Sequence, residues 1–133
     1  MWRIRDMHEV DIPGVLAELA ARFEAYETAL VDNDIDAVND LFWNSSATVR
    51  YGTRENECHY GCIEIASFRR LRGAVNQERI LKNTRITTFG NDFGITNTEF
   101  QTAASDKVGR QSQTWFGTEQ GWRIVSAHVS FGL

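Results

Sequence analysis

The segment from residue 79 to residue 131 constrains this chain most. It holds four runs of strand-forming residues parted only by short turns, with no helical period anywhere in it. The runs cover 79–89, 95–103, 108–116 and 122–131, and the turns fall at Gly90-Asn91-Asp92, Ser105-Asp106-Lys107 and Glu119-Gln120-Gly121. Strands joined by such short turns pair as antiparallel neighbours, and the apolar face of the resulting sheet needs a cover.

The first half of the chain supplies that cover. Ile12, Leu16, Leu19, Phe23, Tyr26 and Leu30 recur at steps of four and three, which places them on one face of a helix over 12–31 that Pro13 opens. Glu18, Arg22 and Glu27 fall off that face. Asp32-Asn33-Asp34 breaks the helix, and Asp34 is placed to cap a shorter one carrying Ile35, Val38, Leu41 and Phe42. Residues 47–51 read as a short strand ended by Gly52, and 53–59 as a loop or a second short strand. Residues 61–72 return to helical spacing through Ile65, Phe68 and Leu71. Arg69, Arg70 and Arg72 group in the last turn of that helix, where basic residues answer the macrodipole and are ordinarily solvated. Helices followed by a meander predict an α+β fold, one domain over 1–133, with one sheet face under the helices.

Charge and composition exclude several functions. Fourteen Lys and Arg against eighteen Asp and Glu give a net charge of -4, so no electrostatic footprint for nucleic acid or an anionic membrane exists. No apolar run reaches the roughly 18 residues of a membrane span, and Met1 to Asp6 lack a signal-peptide core, so a cytoplasmic location is expected. Cys58 and Cys62 form C-x-x-x-C without a second ligand pair and read as reduced thiols. There is no G-x-S-x-G, H-E-x-x-H or glycine-rich phosphate loop, and no metal or cofactor is expected. His59, His128 and Cys58 read as satisfied or exposed side chains rather than metal ligands.

Register decides which polar groups enter the interior. A turn at Glu119-Gln120 sets Trp115 opposite Ile124, Gln113 opposite Ser126 and Gln111 opposite His128, with Trp122, Ser130 and Phe100 on the same inner face. Val125, Ala127, Val129 and Phe131 then form an apolar outer face, which predicts a homodimer. Gln111, Gln113, Trp115, His128 and Ser130 among core residues suggest either a lined cavity or a satisfied polar network, since buried polar groups need partners. Tyr26 brings a phenol to the inward stripe, and Arg50 ends the first strand. Either would be ordinary alone. Outside the turns the last four strands carry one carboxylate, Glu99, which leaves no buried Asp base of the ketosteroid isomerase kind.

The helix with Tyr26, the segment Arg50-Tyr51-Gly52-Thr53-Arg54-Glu55-Asn56-Glu57, the stretch from Ile86 to Phe93, Gly109-Arg110-Gln111-Ser112-Gln113-Thr114-Trp115 and the stretch from Gly121 to Ser130 together resemble the AtzH-like family, which includes HpxZ-type proteins of oxalurate catabolism. The family lies within the nuclear transport factor 2-like, SnoaL-like superfamily. The resemblance implies a cone-shaped curved antiparallel sheet closed by three helices, a cystatin-like fold, paired into homodimers through the outer sheet face. It implies a setting in nitrogen catabolism beside amidases, and in one branch a decarboxylating amidohydrolase acting on 1,3-dicarboxyurea. In that branch the active-site tyrosine and arginine match Tyr26 and Arg50. The expected function is therefore a small cofactor-independent amidohydrolase acting on a carboxylated urea or oxalurate-like carboxylate. Tyr26 and Arg50 are its catalytic residues, and Gln111, Gln113, Trp115, His128 and Ser130 line the substrate site. The rivals are a non-catalytic small-anion-binding or accessory subunit of a neighbouring amidase, and a SnoaL-like isomerase or cyclase.

Overall fold

Proline has no N–H to contribute, so it suits the first turn of a helix, and Pro13 begins the first one in a computed structural model that describes residues 8–75 and 78–132. The N-terminal residues read above for a leader lie outside that range. Helix α1 (Pro13–Val31) buries Leu19, Phe23, Tyr26, Ala29 and Leu30. Leu19 seats against the bare backbone of Gly94, where any Cβ would strike its side chain. The Asp34 carboxylate accepts from the Ala37 N–H at 3.2 Å and so caps α2 (Ile35–Asp40). Leu41 and Phe42 leave the helix but stay buried, because here the backbone turns to the sheet: the Ile124 N–H donates to the Leu41 carbonyl at 2.8 Å.

Strands β1 (Val49–Tyr51) and β2 (Cys58–Tyr60) form a short hairpin, α3 (Cys62–Arg72) follows, and the meander runs through β3 (Arg79–Phe89), β4 (Phe93–Thr102), β5 (Gly109–Thr118) and β6 (Gly121–Phe131). The strands make one curled sheet in the order β2-β1-β6-β5-β4-β3. β1 lies parallel to β6, as does the isolated bridge between Phe42 and Ile124, while the other pairings between the named strands are antiparallel. Cys58 and Cys62 are free thiols. No helix of the described residues is long and apolar enough to cross a membrane.

The last hairpin corrects the facing expected above. Trp115 pairs with Ile124 as anticipated, but Thr114 then pairs with Ser126, so Val125 is an extra residue and β6 bulges there. Each such insertion reverses the alternation beyond it. Gln113 therefore meets Ala127 and Gln111 meets Val129, and Ala127, Val129 and Phe131 belong to the inner face. Ser126 and His128 are exposed on the outer face, where Tyr51 stacks edge-on against His128 at 5.7 Å. The apolar outer stripe Val125, Ala127, Val129 and Phe131 does not exist, and with it goes the facing argument for a homodimer.

On the inner face a polar chain ties β4 to β5. The Trp115 indole N–H donates to Thr96 Oγ1 at 3.0 Å, and the Thr96 hydroxyl donates to Gln113 Oε1 at 3.1 Å. All three residues are almost wholly buried. Thr96→Val keeps the shape and removes both bonds, leaving buried groups unpaired, so stability should fall by roughly 1–3 kcal/mol per group in urea denaturation. A change within about 0.5 kcal/mol, typical of a surface substitution, would contradict this account of the network.

Candidate functional site

Arg50 occupies the middle of β1 opposite His59 of β2 and beside Ala127 of β6, all on the inner face. Its Nη1 lies 3.5 Å from Glu57 Oε1 and 3.3 Å from His59 Nδ1. A guanidinium has only donors, so His59 Nδ1 accepts, which fixes the neutral imidazole with its proton on Nε2. Glu57 folds back onto Arg50 because residue 52 is glycine: a Cβ there would run into the Glu57 side chain. Burial, and then the charge of Arg69, lower the Arg50 pKa from its usual value. The group remains a cation.

Arg69 comes from α3 and is 3% exposed. The face that α3 turns inward carries buried Ile65 and Arg69 with half-buried Phe68 between them, whereas Arg72 is exposed and Leu71, expected on the apolar stripe, is 88% exposed. Arg69 Nη2 donates to the Tyr26 hydroxyl oxygen at 3.3 Å, which leaves the phenol hydrogen to be donated elsewhere. Phe68 acts as a stacking plate: the Arg50 and Arg72 guanidiniums lie 4.9 and 5.1 Å from its centroid, and the His59 ring 4.5 Å away.

The third cation is tied down. Arg79 Nε and Nη2 hold Glu27 at 2.7–3.0 Å, and Nη2 also donates to Gln111 Oε1 at 2.9 Å. The Gln111 amide closes the ring by donating to Glu27 Oε2 at 3.2 Å, and Phe100 backs the guanidinium at 4.3 Å. Glu27 thus reaches the interior, although it lies off the apolar stripe of α1. Interior carboxylates here come from α1 and the β1–β2 loop rather than from the meander strands, and each is engaged by an arginine.

Tyr26, Arg50, Arg69, Arg79, Gln111 and Gln113 all line one cavity of about 240 Å³, below the roughly 300–1,000 Å³ of pockets for drug-sized ligands. A space of this size suits a small molecule. Of the seven residues marked in the sequence, Tyr26, Arg50, Gln111 and Gln113 meet at this cavity. Trp115 is fully buried behind it and holds Thr96. His128 reaches only its rim, and Ser130 is not among its lining residues, because the bulge at Val125 turns both to the other face. Arg69 and Arg79 were not anticipated. The signal for Arg69 is its position four residues after Ile65, on the buried line of α3. Among the described residues no group of three or more His, Cys, Asp or Glu side chains is arranged to hold a metal ion.

Burial, and then the neighbouring charge of Arg50, lower the pKa of His59 from its usual value near 6.5. Above about pH 6.5 the imidazole is neutral in both folded and unfolded chains. As pH falls below that value the unfolded chain takes the proton first, so stability declines until the lower folded-state pKa is passed. Thermal melts from pH 7.5 to 5 should show this decline, and His59→Gln should flatten that part of the profile. An identical profile in the variant would show that His59 does not carry it.

Comparisons with known proteins agree with this architecture. A protein of unknown function from Pectobacterium atrosepticum is 44% identical, covers 99% of this chain and 100% of its own length, and superposes with a TM-score of 0.91. A cystatin-like fold protein from Burkholderia xenovorans is also 44% identical over 93% of this chain and 96% of its own, with a TM-score of 0.87. An NTF2-like protein of unknown function from Pseudomonas putida shares 13% identity but the same fold, with a TM-score of 0.74 over 88% of this chain and 86% of its own. No curated protein matches the sequence. The AtzH-like family model matches residues 8–132, nearly the whole chain, and the protein belongs to the AtzH-like family.

Proposed function

We propose that the cavity is the active site of a small cofactor-independent amidohydrolase acting on a carboxylated urea or an oxalurate-like carboxylate in nitrogen catabolism. The observation that carries this reading is the meeting of three guanidiniums and the Tyr26 phenol at one small cavity, with Arg69 lacking a carboxylate partner among the described residues. Guanidinium forks recognise carboxylates, and a space this small admits a short one. Arg50 holds a substrate carboxylate. Gln111 and Gln113 orient the amide atoms, and Tyr26 donates its free hydroxyl hydrogen to the nitrogen that leaves. For an amide, water adds to the carbonyl carbon and the C–N bond breaks with its electron pair staying on nitrogen, which takes up one proton; for an N-carboxylate the same C–N cleavage and proton uptake release CO2 without consuming water. Tyr26 then recovers its proton from solvent. His128 and Ser130 have no part in this arrangement, and Trp115 contributes as a rigid wall.

A second reading uses the same cavity to hold a small anion without turnover, as an accessory subunit of an amidase. It is supported by Glu57, a carboxylate that rests on Arg50 with no chemistry following from the contact. Pairing of two copies, or docking on an amidase, rests on the family resemblance alone.

Release of CO2 from 1,3-dicarboxyurea, or of oxalate and urea from oxalurate, by the purified protein decides between turnover and binding. Tyr26→Phe keeps the ring and should reduce turnover about a hundredfold or more, the range of a lost general acid, with little change in melting temperature. Undiminished turnover would place Tyr26 in the core only. Arg50→Lys keeps the charge without the fork and should weaken substrate binding roughly tenfold or more. Wild-type affinity in that variant would remove Arg50 from the site.

A further inference from the structure

Three arginines line the cavity, and they differ in what already neutralises them. Arg79 has Glu27 on two nitrogens, and Arg50 has Glu57 on one. Arg69 is as buried as either, yet no carboxylate lies within 4 Å of it among the described residues. Its one hydrogen bond there goes to Tyr26, and its Nε is buried without any partner. Phe42 backs the guanidinium at 5.6 Å, so the plane is held while its edge lacks a counter-charge. Arg72, which shares the Phe68 plate with Arg50, is exposed to solvent, so the buried pair Arg50 and Arg69 has one carboxylate, Glu57 on Arg50, for two cations among the described residues. A buried, unpaired cation is unfavourable unless something supplies its counter-charge, and here the cavity is where a ligand enters.

We infer that Arg69 is a second carboxylate-holding residue, so that the substrate is a dianion gripped at both ends, by Arg50 and by Arg69, rather than a monoanion such as oxalurate. This rests on the reading of the cavity as a carboxylate site and selects the carboxylated urea within it. Tyr26, bonded to Arg69, then faces the chain between the two carboxylates. Loss of one carboxylate as CO2 removes one of the two anchors, which loosens the product.

The probes are glutarate, which has the five-atom chain of a dicarboxylated urea and cannot be hydrolysed, and pentanoate, its monoanionic counterpart. Calorimetric titration at pH 7.5 and one salt concentration should show wild type preferring glutarate by roughly ten- to a hundredfold, the range of a charge-assisted contact. Arg69→Met and Arg69→Gln should lose that preference by weakening glutarate and leaving pentanoate nearly unchanged. An unchanged preference in both Arg69 variants, with Arg50→Lys weakening both ligands, would overturn the role of Arg69 and leave the cavity reading standing. Wild type with no affinity for either probe would overturn the cavity reading itself. Both variants should melt no lower than wild type, and failure of both to fold would assign Arg69 to the structure and overturn the inference.

Discussion

Every strand of a curled sheet sends alternate side chains inward, so one unpaired residue reverses everything beyond it. Val125 is that residue in β6. Without the bulge, His128 and Ser130 would point into the interior. With it, Ala127, Val129 and Phe131 supply an apolar side to the cavity, and β1 brings Arg50 alongside Ala127. The cavity is therefore polar where β5, α1 and α3 face it and apolar along the last third of β6.

The polar side is governed by the guanidinium group, which stays charged when buried and can only donate. Each inward arginine must be stacked, paired or left for a ligand. Arg79 is closed into a ring with Glu27 and Gln111, and Arg50 shares a neutral His59 and a Glu57 held close by Gly52. Arg69 is the open member of the set. Its contact with Tyr26 joins charge recognition to a phenol whose hydrogen is left for proton transfer, so binding and chemistry share a pair of side chains.

Much of this was legible in the sequence, because periodicity reports helices and strands directly. The stripe ending in Tyr26 and Leu30 and the four meander runs correspond to α1 and β3–β6. The inward placing of Tyr26, Gln111 and Gln113 follows from those faces, whereas Arg50 is marked by the family resemblance. What stayed hidden has identifiable causes. A bulge leaves no mark in a run such as Ile124-Val125-Ser126-Ala127, where either parity gives a plausible apolar face, so His128 and Ser130 were placed inside. Arg69 was hidden because arginine in a last turn is ordinarily solvated, and the apolar Leu71 offered a competing stripe. Glu27 and Arg79 lie 52 residues apart, and no local pattern announces that they pair.

The most direct test of the account is a crystal structure of the protein with glutarate bound. The account predicts the ligand inside the cavity, with carboxylate oxygens within hydrogen-bond reach of Arg50 and Arg69 and the Arg79–Glu27 pair undisturbed. Glutarate bound on the outer face beside Tyr51 and His128, or an empty cavity at saturating ligand with Arg50 still resting on Glu57, would contradict it.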